Sequence, residues 1–584
     1  MMDRKFFLAL FASMALLIGY NVYYEWRYGA YLQQQEQITA EKEEAKPGDK
    51  QEAKNLNKPA AGQPQAEAPS NVPGQVAPVA GSQVDEAAPG PMADSMFDKA
   101  VTAETAEKLI VIKTGVTEVT LTNRGAIPKN YLLEKYRDKT GNKMDLRFNF
   151  EQYQQKLSEQ GKSLLNVKYI PPMGLKFPKD AFSDRVNGSL FTLGETRGEI
   201  TLKEGDKPVT LVYLLEDPSG IKISKSYTFY PNSYSFDFSV QVISDPKWGV
   251  FDYSLVWFGL GDEDADLTGA VYSYHGPIIL VGKERVAEAP DSDEPRKKYA
   301  GDVHWAALTN RYYAMVTTPV ATATKTVTAQ YVDDNNFALE WDFKSTLDKK
   351  AESFSVFVGP KEHEVLGKYT NGVYSVIDYG WFDIIAKPIY VVLSTFHGWT
   401  GNWGWSIIML TVLAKVLFFP LSQKAFRSMQ KLQKLQPQMK KLQEVYKDDR
   451  DTLNRELMAL YKEQKVNPLG GCLPVIMQIP IFFALYKVLL ESIELKGAGW
   501  ALWIHDLAQQ DPYYVTPVLM GITMLIQQMM TPKTGDPLQR KMMMALPVVF
   551  TFMFLSFPAG LVIYWLVNNI LTIVQQWIIY REAK

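Results

Sequence analysis

Residues 403–421, WGWSIIMLTVLAKVLFFPL, decide the fold of this chain. The stretch is apolar and long enough to cross a bilayer as a helix that rises about 1.5 Å per residue. Its one ionisable side chain is Lys415, where insertion scales put the cost of a lysine at roughly 2.5–3.5 kcal/mol. Two interpretations stay open at this point. Lys415 marks a functional, water-filled pocket, or its aliphatic stem carries the ammonium to the inner interface.

A second apolar run lies at the start of the chain, from Phe6 to Tyr24, just after Arg4 and Lys5. It is long enough to span a bilayer, and no small-residue cleavage site follows it. We therefore expect 1–24 to be an uncleaved transmembrane anchor that begins in the cytoplasm.

Loop charges set the number and orientation of the other spans. The segment 422–467 carries 11 Lys and Arg and 532–541 carries three, whereas 491–512 carries one. Under the positive-inside rule the first two segments are cytoplasmic and the third is external. Both termini are then cytoplasmic. The predicted six spans are about 5–24, 403–421, 469–490, 513–531, 542–557 and 560–580.

Between the anchor and the bundle the composition changes twice. Residues 25–105 are rich in Ala, Pro and Gln, which is typical of a flexible tether. Residues 106–360 alternate polar and apolar side chains, as in YSFDFSVQVIS (234–244), with turn signals such as DPSG (217–220). This pattern predicts one large antiparallel β-sandwich, which the charge rule places outside the cytoplasm.

Two further segments are helical in pattern without being spans. Residues 375–397 are apolar, but Asp383 and Lys387 are spaced as an i,i+4 pair and Pro388 interrupts the run, so we predict an interfacial amphipathic helix. Residues 422–467 repeat apolar side chains at helical spacing on both sides of KDDRD, which predicts a helical hairpin. Its charges form either a solvated face or a basic platform for lipid headgroups or ribosomal RNA.

The polar side chains of the spans concentrate on the cytoplasmic side of the bilayer midplane. This one-sided distribution predicts a hydrophilic groove open to the cytoplasm and closed to the outside. The alternative is that each amide makes an ordinary inter-helix hydrogen bond. The groove residues that we single out are Lys415, Thr411, Gln478, Gln528, Asn568, Asn569, Thr572 and Gln575.

Composition argues against catalysis and ion pumping. The last five spans contain no Asp, Glu or His, which coupled transporters normally need. The single cysteine, Cys472, excludes an internal disulfide, and the five histidines show no metal-ligand spacing. We expect no catalytic residues, no bound metal and no cofactor.

Four blocks of sequence resemble one known family. The chain over about 375–581 is similar to the YidC membrane protein insertases of Gram-negative bacteria, and it follows them in outline over the anchor, tether and external domain. The blocks are NPLGGCLPVIMQIPIFFALY (467–486), ALWIHDLAQQDPYY (501–514), GITMLIQQMMTP (521–532) and FPAGLVIYWLVNNILTIVQQWIIYR (557–581).

The resemblance implies a multi-domain inner-membrane protein with six transmembrane helices, five of them forming an insertase core over 403–584. It also implies that the external domain is a β-supersandwich similar to galactose mutarotases, and that Lys415 replaces the family's usual basic residue, an arginine. Arginine binds carboxylates through a planar fork whereas lysine is a point charge, so the grip on an acidic client is expected to be weaker. The implied client-contacting apolar face consists of Pro474, Ile479, Pro480, Phe482, Tyr564 and Trp565.

The implied function is non-enzymatic insertion of newly made membrane proteins, alone or with the Sec translocon and its accessory subunits. The ribosome or the signal recognition pathway is expected to dock on 422–467 and 533–541, because the chain ends at Lys584 without a long basic tail. The alternative is a lateral chaperone for helices that leave the translocon. A carbohydrate-acting external domain is suggested by the fold alone, and no paired acid and base support it.

Overall fold

A computed structural model describes most of the chain after the tether. The predicted anchor and nearly all of the tether, 1–103, lie outside the described residues. Those residues are 104–138, 141–147, 169–260, 274–320, 325–333, 336–345, 351–369, 372–447, 449–464, 473–530 and 537–582.

The first folded region, as far as it is described, consists of strands and one helix, α1 (Asp180–Gly188). The strands are β1 Leu109–Lys113, β2 Thr117–Thr122, β3 Ile127–Arg137, β4 Lys143–Asp145, β5 Gly174–Lys176, β6 Thr192–Leu193, β7 Glu199–Thr201, β8 Val209–Glu216, β9 Lys222–Phe229, β10 Ser235–Ile243, β11 Asp252–Phe258, β12 Gly276–Val281, β13 Glu284–Val286, β14 Arg296–Gly301, β15 Val303–Thr309, β16 Tyr313–Pro319, β17 Lys325–Asp333, β18 Asn336–Lys344 and β19 Glu352–Pro360.

These strands form three sheets of five, nine and five strands. Their orders are β4-β3-β2-β1-β7, β13-β12-β15-β16-β19-β10-β9-β8-β6 and β14-β17-β18-β11-β5. The alternating pattern seen in the sequence puts every second side chain inward. The most deeply buried side chains include Trp257, Trp305 and Trp341, each 0% exposed.

One pairing departs from the predicted all-antiparallel arrangement. β1 pairs with β7 in parallel through Ile112 and Ile200, whereas its other neighbour, β2, is antiparallel. Both central side chains are buried. A parallel partner needs a long crossover connection, here everything from β2 to β6, and alternation within each strand carries no signal of it.

A buried lysine joins two loops of this domain to the nine-stranded sheet. The ammonium of Lys225, on β9, donates to the backbone oxygens of Gly125 at 2.7 Å and Met173 at 2.8 Å. Both residues have positive φ, 70° and 60°. Burial lowers the pKa of Lys225 from 10.5 to about 7.

This lowered pKa predicts that stability rises with pH. Between about pH 7 and 10.5 the folded lysine is neutral and the unfolded one is protonated, so the unfolded chain binds more protons and the free energy of unfolding increases. Hydrogen exchange of β9 amides should therefore slow between pH 7 and 9, after correction for intrinsic exchange. Lys225→Met should flatten this trend, and an equal trend in both proteins would contradict the assignment.

The rest of the described chain is helical. The helices are α2 His363–Leu366, α3 Asp383–Thr400, α4 Trp403–Leu417, α5 Phe419–Val445, α6 Arg450–Glu463, α7 Leu473–Glu491, α8 Val515–Met530, α9 Pro537–Phe554 and α10 Ala559–Glu582, with 3-10 turns at Val373–Val376, Gly380–Phe382 and Ile493–Leu495.

The predicted span 403–421 is shorter than expected, because α4 ends at Leu417. The chain bends by 62° at this break before α5 begins, so α5 already contains the start of the predicted hairpin. Pro420 lies next to the break and has no N–H to donate to the preceding turn, which explains why the helix does not run through.

By length and composition alone, one described helix qualifies as a membrane span, the part of α10 from Ala559 to Ile579. The bent pair of α4 and α5 qualifies as a second if it is counted as one span. Val515–Met530 and Met543–Phe554 are apolar but shorter. The count of six spans therefore stays a prediction.

The segment predicted to be interfacial begins with two 3-10 turns and continues as α3. The residue after α3, Gly401, has the left-handed conformation, with φ 64°. Lys387 pairs with Asp383 at 2.6 Å, as the i,i+4 spacing suggests. The outward apolar side chains include Ile384, 87% exposed, and Trp399, 71% exposed. The helix therefore carries both an ion pair and exposed apolar side chains, and its position in a membrane interface stays a prediction.

The hairpin of α5 and α6 has a small core of its own. Leu432, Leu435, Met439 and Tyr461 are buried together, with Leu457 and Leu460 packed against them. Asp449 caps α6 by accepting from the backbone N–H of Thr452 at 3.0 Å.

Candidate functional site

Lys415 lies near the cytoplasmic end predicted for α4, beside α10. Its ammonium donates to the hydroxyl of Thr572 at 2.6 Å and to the amide oxygen of Asn568 at 3.4 Å. Its side chain is partly buried, whereas the next residues, Val416 and Leu417, are 65% and 68% exposed. The helix therefore turns Lys415 inward and its neighbours outward.

A third helix joins this contact through an amide pair. Gln478, on α7, donates to the Oδ1 of Asn568 at 2.7 Å and accepts from its Nδ2 at 3.3 Å. One oxygen of Asn568 thus accepts from both Gln478 and Lys415. The structure brings together four of the groove residues identified from the sequence, from α4, α7 and α10.

The other groove residues are arranged differently. The Thr411 hydroxyl donates to its own helix, to the carbonyl of Ile407 at 2.7 Å, and no described contact links it to Lys415. Asn569 faces α8, where its amide donates to the Thr523 hydroxyl at 3.3 Å. Gln528, further along α8, is partly buried. Asn569 therefore holds α8 against α10, in the manner of the inter-helix bonds that were the alternative interpretation.

Gln575 reaches the break between α4 and α5, where its amide donates to the carbonyl of Phe419 at 3.5 Å. The side-chain oxygens of Gln575 and its neighbour Gln576 are buried and have no hydrogen-bond partner among the described residues. A buried oxygen left unpaired costs about 1–3 kcal/mol, so this position suits water or a polar guest. The carbonyl at the break could not be identified from the sequence, since no side-chain pattern marks it.

The apolar face predicted to contact clients is only partly on the surface. Ile479, Pro480, Phe482 and Trp565 are partly buried, and the rings of Phe482 and Trp565 meet edge to face at 5.0 Å. Tyr564 is 3% exposed, so it lies behind this surface and not on it. Pro474 belongs to α7, but its side chain is outside the described residues.

The arrangement provides a cation with neutral ligands. No carboxylate is paired with Lys415 within the described residues, so no acidic side chain among them neutralises its ammonium. A group of three or more His, Cys, Asp or Glu placed to hold a metal ion is likewise not found in that part of the chain. What the site can do is attract and solvate polar or acidic groups at the edge of an apolar bundle.

Comparison with known proteins agrees with this division of the chain. The family model described as "YidC periplasmic domain" matches residues 109–392, and the one described as "60Kd inner membrane protein" matches residues 395–584. Together they cover the β-domain and the helical region.

Relatives match over most of their length. A "Membrane protein insertase YidC" of Geotalea uraniireducens is 44% identical over 65% of this chain and 72% of its own. One of Syntrophus aciditrophicus is 36% identical over 82% of this chain and 86% of its own. A solved structure titled as an active YidC insertase covers 81% of this chain and 93% of its own, at 16% identity and a TM-score of 0.35. The identity and coverage of the two relatives show that the chain belongs to the YidC family of membrane protein insertases.

Proposed function

We propose that this protein inserts newly made inner-membrane proteins through a polar groove lined by α4, α7, α8 and α10, open to the cytoplasm and to lipid. The observation that carries the proposal is the environment of Lys415. Thr572 and Asn568 hold its ammonium with neutral oxygens, so an acidic flank of a client can take their place without first displacing a carboxylate. The proposed activity makes and breaks no covalent bond.

The groove lowers the cost of moving a hydrophilic flank into the bilayer. The apolar segment of the client passes along the exposed side of α7 and α9, past Phe482 and Trp565, while its flank stays among the amides near Gln478. For an acidic flank, the membrane potential contributes roughly 2.3 kcal/mol per charge per 100 mV. The apolar part of α9, Met543–Phe554, spans only about 18 Å as a helix, so the bilayer beside it is thinned.

The proposal includes the topology inferred from loop charge. Six spans place both termini in the cytoplasm and the β-domain in the periplasm, with boundaries of 1–24 for the anchor, 25–105 for the tether, 106–360 for the β-domain, 375–397 for the interfacial helix and 403–584 for the core. The hairpin 422–467 and the segment 533–541 then face the cytoplasm, where their basic residues can meet a ribosome. Partnership with the Sec translocon belongs to the same proposal.

One reconstitution separates insertion from lateral chaperoning. Purified protein in liposomes that lack a translocon should move the tail of a small, acidic-flanked client into the lumen, where added protease cannot reach it. Empty liposomes set the background. A protein that only chaperones helices would bind the client's apolar segment but leave the tail outside.

Thiol labelling tests the one-sided groove. In a Cys472→Ser background, cysteines at positions 478 and 568 should react with a membrane-impermeant maleimide from the cytoplasmic side and not from the periplasmic side. Lys434→Cys on the hairpin and Lys207→Cys on an exposed turn of the β-domain report the two sides. Equal labelling of 478 and 568 from both sides, or from neither, would contradict the groove.

A further inference from the structure

The outer end of α7 is held by two separate segments of the β-domain. One is the turn between β15 and β16, where Arg311 donates to the carbonyl of Leu490 at 2.7 Å. The last carbonyls of a helix have no partner within the helix, and a cation there also meets the negative end of the helix dipole. Arg311 is therefore a C-terminal cap for α7, supplied from outside the helical bundle.

The second segment is the one that leaves β19. The ammonium of Lys361 lies 3.6 Å from a carboxylate oxygen of Glu491, and both side chains are buried, 8% and 9% exposed. The backbone N–H of Lys361 donates to the carbonyl of Tyr312, next to Arg311, at 2.8 Å. The β15–β16 turn and the segment after β19 are thus hydrogen-bonded to each other as well as to α7.

The contact continues into the turn that follows α7. The backbone N–H of His363 donates to Glu494 at 3.1 Å, and the Tyr390 hydroxyl, from α3, donates to the same carboxylate oxygen at 2.8 Å. The rings of His363 and Tyr390 stack with centroids 3.5 Å apart, and the Tyr379 hydroxyl lies 3.0 Å from the ring Nε2 of His363. Three elements outside the bundle core therefore converge on residues 490–494.

Burial makes these contacts different from the ion pairs on the surface of the β-domain. Lys113 and Glu199 approach more closely, at 2.9 Å, but their side chains are 36% and 55% exposed. Exposed pairs contribute little, whereas removing one partner of a buried pair costs more. Without Lys361, Glu491 would keep the longer contact to Lys487, at 4.0 Å. Loss of the buried contacts is therefore expected to loosen the outer end of α7, whereas loss of the surface pairs is not.

We propose that Arg311, Lys361 and His363 are positioning residues for insertion, which fix the outer end of α7 and so hold the client-contacting stretch Ile479–Phe482 in place. The inference rests on the proposed function for its consequence, but the fixing of the helix is a separate claim. It assigns the β-domain a mechanical role that needs no ligand.

The first test measures the helix directly, by hydrogen exchange of the full-length protein in nanodiscs. Lys361→Met should speed exchange at least about tenfold over 485–495, while β9 amides stay as in wild type. Arg311→Gln, the second variant, should do the same if Lys361→Met does not accumulate. Lys113→Met is the matched control and should change neither region.

A paired substitution separates the buried charge from general damage. Lys361→Met combined with Glu491→Gln removes both charges and should restore slow exchange over 485–495. The proposal is wrong if exchange over 485–495 is unchanged in the single variants, or if it rises equally in β9. These outcomes do not depend on whether Lys415 has a role in insertion.

The second readout concerns clients. A photoreactive amino acid at position 479 should crosslink a ribosome-stalled client several-fold less in Lys361→Met than in wild type, and Lys361→Arg should recover the signal. Unchanged crosslinking beside faster exchange would show that α7 is held by these residues but that its position does not matter to the client, which would overturn the positioning role.

Discussion

Lys415→Glu is expected to abolish insertion of a small acidic-flanked client in cells depleted of their own insertase, whereas Lys415→Arg is expected to support it. At about 4 Å and an effective dielectric of 20, two unit charges interact by about 4 kcal/mol, so the reversal turns attraction of the flank into repulsion of the same order. A change of this size lowers the rate by more than about a hundredfold. Protease protection of the client's periplasmic tail measures it.

Two controls make this result specific. Lys207→Glu, the same reversal on an exposed turn, should insert the client as wild type does. A client whose flanking carboxylates are replaced by amides should be much less sensitive to Lys415→Glu, because the repulsion is then absent. Normal insertion of the acidic client by Lys415→Glu would remove Lys415 from the mechanism.

Gly404→Ala is expected to destabilise the helical bundle. A Cβ at position 404, in the first turn of α4, would lie 2.2–2.5 Å from Cδ1, Cγ and Cβ of Trp500. Trp500 cannot easily move, because its backbone carbonyl accepts from Asn402 at 3.1 Å and its N–H donates to Ile504 at 3.0 Å. Overpacking of this kind costs about 1–3 kcal/mol.

Gly398→Ala, in α3, is the matched control, because a Cβ there meets nothing within 4 Å. It should stabilise the protein by up to about 1 kcal/mol, since alanine favours a helix interior more than glycine does. Thermal unfolding in detergent should therefore shift in opposite directions for the two variants. A shift in the same direction for both would show that Trp500 relaxes and that the contact is not tight.

The grouping of four polar residues was predictable, because polar side chains are rare in long apolar runs and tend to face one another when they occur there. Lys415, Gln478, Asn568 and Thr572 were identified by their position along apolar runs, and the structure brings these four into contact. Their partners were not predictable, since which helix faces which depends on packing between segments far apart in the chain. The inward position of Tyr564 has the same cause.

The β-domain shows the same limit. Alternation of polar and apolar residues predicted strands with one buried face, and the structure has such strands in three sheets. The parallel pairing of β1 with β7 could not be predicted, because it joins residues that are about 90 positions apart. The early end of α4 was missed although Pro420 was visible, since a proline in an apolar run is compatible with a kink as well as with a break.

The interruption at Phe418 has a mechanical meaning. Bending an intact helix requires its backbone hydrogen bonds to stretch, but at this break Pro420 has no N–H to contribute one, and Gln575 adds a long contact to the carbonyl of Phe419, at 3.5 Å. Bending between α4 and α5 therefore stretches fewer backbone hydrogen bonds than bending a continuous helix would. The break at Phe418 is thus a hinge between α4 and the first turns of α5, contacted by the side chain of Gln575.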